Sequence, residues 1–247
     1  MTVGSKVWEQ YVKTLAAIDN TAAKKFAAFV RGLDLGKADS RKKAIDYAVA
    51  LATKYSETAA AAACEMYDAI VAAAGMYFPA AEPAVLAENI YGEVAKTVNG
   101  MIKQNASPDS MGSAIGRLVK RTGVDTTMKN AIRDGAEWAW IPSGDSCAFC
   151  IMLASNGWQR ASAEALKGGH AEHIHSNCDC TYAIRFNGKP SYASYNPDKY
   201  LDMYEEADGR TWKDKVNSMR REQYAENSEE INEQKRAAYA ERKEREE

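Results

Sequence analysis

No stretch of the 247 residues approaches the run of roughly 20 apolar residues that a membrane-spanning helix needs, so no membrane is expected among its partners. The opening MTVGSKVWEQYVKTL is polar and amphipathic and carries no apolar centre of a secretory signal, which leads us to expect synthesis in the cytoplasm. A net charge of -2 and a pI of about 6.0 remove any bulk electrostatic case for nucleic-acid binding, though not a local basic patch. No glycine-rich phosphate loop, nucleophile elbow or H-E-x-x-H helix is present, and no internal repeat. Histidine is scarce, with 3, and cysteine amounts to 5.

Those few residues are clustered. Four of the cysteines form Cys147-Ala-Phe-Cys150 and Cys178-Asp-Cys180, with His170, His173 and His175 just before the second pair. Paired cysteines with histidine are the usual protein material for a tetrahedral zinc site. In a reducing compartment such clustering favours a metal over disulfides. The Cys147–Cys150 spacing suits two thiolates on one ion from a tight turn. His175, Cys178 and Cys180 then compete for the two remaining positions, and neighbours spaced by one residue tend to point to opposite sides of an extended segment. Spacing alone does not choose between them. A disulfide and thiols packed in a small core remain the alternatives, and His170 and His173 read as surface or supporting residues. Cys64, within Ala59-Ala-Ala-Ala-Ala-Cys64, reads as a small buried residue.

Two catalytic readings use the same residues. His170-Ala171-Glu172 matches half of a zinc deaminase signature, but its C-x-x-C should follow and here precedes, so the order is wrong. A zinc-dependent nuclease or related hydrolase, with His173 or His175 beside Asn177, is the alternative to a structural role.

Periodicity predicts a predominantly α-helical α+β chain in three parts. Residues 1–124 read as a helical bundle. Trp8, Tyr11, Val12, Leu15 and Ile18 form an apolar stripe, and Asp19-Asn20-Thr21 is a point where a new helix could start towards Phe26. Gly32 and Gly36 stop it, Asp39-Ser40 is the expected cap of a long alanine-rich helix, and Pro79 and Pro83 end that one. A helix carrying Val85, Leu86, Ile90, Val94 and Val98 follows. After the connector at Ser107-Pro108-Asp109, a short helix around Ile115 and Val119 and another capped by Asp125-Thr126-Thr127 are expected. Residues 125–205 read as a compact α+β unit around the cysteines, with strands at Trp138–Ile141 and Thr181–Phe186, the second stopping at Asn187-Gly188. Residues 206–247 read as a charged helical tail, solvated or disordered, with Lys213, Lys215, Arg220, Arg221, Lys235 and Arg236 as candidate phosphate contacts.

The order Trp140-Ile-Pro, Ser146-Cys-Ala-Phe-Cys150-Ile-Met-Leu-Ala-Ser155 and His175-Ser-Asn-Cys-Asp-Cys180 resembles the phage head morphogenesis family, the Mu F-like minor capsid group of actinobacterial phages and prophages. Leu153-Ala-Ser-Asn-Gly157 and Tyr195-Asn-Pro-Asp-Lys-Tyr200 stand where that family has similar segments. The resemblance covers residues 125–205 and marks Cys147, Cys150, His175, Cys178 and Cys180 as the defining positions. It implies a non-enzymatic minor protein of the virion, near the portal, acting in head assembly and in DNA packaging or delivery. Portal, major capsid or scaffold proteins would be its partners, with packaged DNA and further copies of the chain as additional ones. Zinc, structural rather than catalytic, would be the cofactor.

Overall fold

The computed structural model describes residues 3–84, 90–142, 146–162 and 180–246. The chain divides into two compact units, one drawn from Met1–Ser143 and Trp158–Tyr195, the other from Gly144–Gly157 and Asn196–Glu247. The expected predominantly helical α+β class is what forms.

In the first unit, α1 (Val3–Arg31), α2 (Ala38–Ala74) and α4 (Pro108–Arg133) are long and pack on one another, with the shorter α3 (Ile90–Lys103) against α2. The buried stripe of α1 runs Trp8, Tyr11, Leu15, Ala22, Phe26 and Val30, steps that keep one face turned inward. No break occurs at Asp19-Asn20-Thr21. The Thr21 hydroxyl donates to the Ala17 carbonyl at 2.6 Å, a bond within the helix that replaces the capping role expected of it. Helix α2 starts one residue before Asp39, with Lys37 as its N-cap. It ends at Gly75, whose φ of 73° permits the Schellman pair Gly75 N–H to Ala72 O and Met76 N–H to Val71 O. Phe26, Val30, Leu51, Val94, Val98, Met111 and Ile115 meet in the core between these helices.

Helix α4 corrects the expectation of two short helices. Ser107 caps it, accepting from the Ser110 N–H at 3.2 Å, and Pro108 occupies its first turn. The helix then passes Asp125-Thr126-Thr127 unbroken. The hydroxyls of Thr126 and Thr127 donate to the carbonyls of Thr122 and Gly123, at 2.8 and 3.1 Å, so they are satisfied inside the helix. The unbroken run matters for packing, because three glycines on it meet neighbouring backbone and side chains. A Cβ at Gly112 would lie 2.4 Å from the Ala23 carbonyl oxygen, one at Gly116 2.9 Å from that of Asp19, and one at Gly123 2.9 Å from Leu15 Cδ1. As numbers rise along α4 they fall along α1. The two helices are therefore antiparallel, in backbone contact.

Between α2 and α3, the extended residues 79–84 are held almost entirely by side chains. Arg133 donates to the carbonyls of Pro79 and Ala80 at 2.9 and 3.0 Å, and Asp68 accepts from Ala81 N–H at 2.8 Å. The Asn130 carboxamide both accepts from and donates to the Glu82 backbone at 2.9 Å, and Thr126 accepts from Ala84 N–H at 3.0 Å. Val85 and Leu86, expected in the following helix, lie outside the described residues.

The sheet of this unit is antiparallel, in the order β2-β1-β3-β4: β1 (Glu137–Ile141), β2 (Gln159–Arg160), β3 (Thr181–Phe186) and β4 (Lys189–Pro190). Both long strands match the sequence expectation. Asn187 and Gly188, at φ 49° and 72°, make the two-residue turn with two positive angles that suits a twisted hairpin. Tyr182 pairs across from Trp140 and sits edge-on to both Trp138 and Trp140, at 4.8 and 5.0 Å. The Trp8 indole donates to the Tyr182 carbonyl at 2.7 Å and ties α1 to β3. Arg185 forks onto Glu137 at 2.7 and 3.0 Å, which holds that carboxyl below its usual range.

The second unit is helical: α5 (Ala148–Ala154), α6 (Pro197–Glu206), α7 (Trp212–Glu226) and α8 (Ser228–Glu246). Ala148, Ile151, Ala207, Val216 and Met219 form its buried centre, with Phe149, Met152, Tyr200 and Tyr204 packed around them. Thus α7, part of the tail expected to be solvated or disordered, contributes core residues. No described helix in either unit is long and apolar enough to cross a membrane.

Candidate metal centre

Cys147 is the N-cap of α5 and Cys150 lies in its first turn, so both thiols fall on one side of the turn. Their sulfurs are 3.5 Å apart. Two thiolates bound at about 2.3 Å to one tetrahedral zinc lie about 3.8 Å from each other, whereas a disulfide needs about 2.05 Å. The pair therefore fits a shared ion with a small adjustment of the side chains. Cys150 is buried at 2% exposure and Cys147 is half-buried, so a metal here would be partly enclosed. A bound zinc would supply a fixed crosslink, and the thiols would have to lose their protons to hold it.

Neighbouring groups brace the turn. Gln223 on α7 accepts from the Ala148 N–H at 3.1 Å and donates to the Ser146 carbonyl at 2.9 Å. Helix α7 is itself fixed by a capping box in which the Asp214 carboxylate accepts from Thr211 N–H at 3.0 Å while Asp214 N–H donates to the Thr211 hydroxyl at 3.3 Å. The Thr211 hydroxyl also donates to that carboxylate, at 2.8 Å, and this bond first, then the one from the Thr211 N–H, holds the Asp214 carboxyl below its usual range. Lys215 corrects one sequence expectation. Its ammonium donates to the carbonyls of Tyr204, Glu205 and Ala207, at 3.1, 2.9 and 2.7 Å, and so caps α6 instead of being free for phosphate. Lys235 likewise donates to the Tyr224 hydroxyl at 3.2 Å.

Cys180 is buried, immediately before β3, and belongs to the first unit, whereas Cys147 and Cys150 belong to the second. His170, His173, His175, Asn177 and Cys178 lie outside the described residues. Among the described residues no disulfide forms, and no group of three or more His, Cys, Asp or Glu side chains is arranged to hold a metal. Cys64 is not fully buried as expected. It is half-buried on the wall of a cavity of about 570 Å³, beside Ala60, Ala61, Pro83, Ala84 and Thr122, and burial pushes its thiol up from the ordinary value. Gln223 is the residue sequence reasoning missed. A glutamine in a charged helix, 75 positions from the backbone it binds, gives no local signal.

No curated protein and no solved structure matches the chain. The family model described as VG15 protein matches residues 2–207, which takes in the helical half, the sheet, α5 and α6 and stops before α7. With most of its length inside that match, the chain belongs to the VG15 protein family and is a phage-encoded protein.

Proposed function

We propose that this phage protein is a minor structural component of the head, placed near the portal and acting in head assembly and in DNA packaging or delivery. Its Cys147, Cys150, His175, Cys178 and Cys180 cluster supplies the ligands of a structural zinc. The observation that carries the reading is the 3.5 Å separation of the Cys147 and Cys150 sulfurs on a braced helical turn. It is a geometry suited to crosslinking, and it sits in a phage-family chain whose motif order resembles that of minor capsid proteins. The helical half adds broad faces on which portal, capsid or scaffold helices could pack. Virion location and partners follow from the same reading, as does a role in construction instead of catalysis.

Two measurements test it together. Mass spectrometry of purified particles of the encoding phage should find the chain at low copy relative to the major capsid protein. Elemental analysis of the purified protein should find about one zinc per chain, with chelation lowering its melting temperature. Absence from particles would overturn the head assignment. DNA cleavage by the purified protein with added divalent metal, abolished by His175→Ala, would overturn the structural role in favour of a nuclease.

A further inference from the structure

Helix α5 is only seven residues long and its N-cap, Cys147, makes no side-chain capping bond. So short a helix is marginal on its own, and the backbone groups at its start need partners from elsewhere. Gln223 supplies one for the Ala148 N–H. Its Nε2 donates to the Ser146 carbonyl and its Oε1 accepts from the Ala148 N–H. The two peptide groups so engaged lie on either side of Cys147. Turning the carboxamide over would set donor against donor and acceptor against acceptor, so the bonds fix its orientation. Val216, Met219 and Gln223 follow one another at helical spacing, and the first two are buried in the unit's core with Ala148 and Ile151. Gln223 thus reaches the cysteine turn from a helix that is already anchored.

We propose that Gln223 is a positioning residue: by clamping the backbone on both sides of Cys147 it holds the Cys147 and Cys150 sulfurs at ion-sharing distance. The site then extends beyond the family-matched residues 2–207 into α7, and the charged tail belongs to the candidate metal centre. This rests on the metal reading of the thiol pair, and the test separates the two.

The full-length chain is compared with Gln223→Met, which keeps the side chain's length and loses both bonds, and with Gln223→Glu, which keeps only the acceptor. Glu222→Gln, a neighbour on the same helix, is the control. Zinc affinity is read by competition with a chromophoric chelator, and the cobalt-loaded proteins are compared by their thiolate absorption bands. Loss of a supporting hydrogen bond of this kind costs about 10-fold in metal affinity or more. We expect that loss in Gln223→Met, a shifted cobalt spectrum, wild-type behaviour in the control, and a metal-free melting temperature close to that of wild type. Wild-type zinc affinity and spectrum in Gln223→Met would overturn the proposal. Should Gln223→Met fail to fold, Gln223→Glu is judged by the same two readouts.

A second probe needs no metal. Phenylarsine oxide joins two nearby thiols: two S–H bonds break, two As–S bonds form and one water leaves. Capture is read by the mass of the peptide carrying Cys147 and Cys150. Capture weakened by about 10-fold in Gln223→Met sustains the positioning role even if wild type takes up no zinc, in which case only the metal reading falls. Equal capture in both proteins refutes the positioning role whatever the zinc result.

Discussion

The contact of α1 with α4 offers the sharpest test of the fold, because one chemical change should act in opposite directions at two places. Gly112→Ala would put a methyl 2.4 Å from the Ala23 carbonyl oxygen, and 3.1 Å from both the Ala23 carbonyl carbon and Ala27 Cβ. That is about 1 Å short of an ordinary van der Waals contact. The obstacle is helix backbone, which cannot swing aside as a side-chain tip would. Overpacking of this kind costs about 1–3 kcal/mol, and an immovable neighbour places Gly112 at the upper end. Replacing a helical glycine by alanine returns about 1 kcal/mol of helix propensity, leaving a net loss of about 2 kcal/mol. For a chain of this size that lowers the melting temperature by about 4–8 °C. Gly100 on α3 has nothing within 4 Å of its added methyl, so Gly100→Ala keeps only the propensity gain and should raise stability by up to about 1 kcal/mol. Gly116→Ala, with its nearest obstacle at 2.9 Å, should fall between. Thermal melts and urea titrations followed by circular dichroism give all three. If Gly112→Ala melts at or above wild type, or if Gly112→Ala and Gly100→Ala shift the same way, the close α1–α4 approach is wrong.

Two further tests concern charge. Arg133→Met removes the donors to Pro79 and Ala80 and the cation beside Asp134, whose side chain is 2% exposed. Breaking such a pair costs about 3 kcal/mol, the low end of its range because Tyr67 still donates to Asp134, and limited proteolysis should cut within residues 76–84 sooner; unchanged digestion there would sink the clamp. The carboxyl of half-buried Asp125 is raised above its ordinary value by desolvation, with Arg121 at 3.4 Å only partly offsetting it. A raised carboxyl binds its proton more tightly folded than unfolded, so its contribution to stability is full below about pH 3.9 and is lost as pH rises through its folded value. Asp125→Asn should therefore match or exceed wild type in urea stability at pH 7 and lose that advantage in acid. An advantage that grows on acidification would contradict the assignment.

Helix α2, the apolar stripe of α1 and both long strands were legible because each is written in local terms: an alanine-rich run bounded by glycine and proline, a 3.6-residue apolar stripe, and alternation ending at Asn-Gly. The helix starts expected at Thr21 and Thr126 failed for one reason. Threonine near a potential cap can serve as a cap or donate to the carbonyl four residues back, and only the neighbours packed against the segment decide. In α4, the run of close contacts at Gly112, Gly116 and Gly123 favours an unbroken helix. The close pair of thiols was legible as C-x-x-C, since its two residues share one turn.

Sequence by itself thus determined the helical α+β class, the long alanine-rich α2, the two long strands with the Asn187-Gly188 turn, and the thiol pair, all of which rest on neighbours a few positions apart. Tertiary structure alone decided that Lys215 caps a helix, that Arg133 and Asn130 hold an extended segment, and that Gln223 braces Cys147. Each of these joins a side chain to backbone groups distant along the chain, and backbone groups are the same in every residue, so no pattern of residue types announces them.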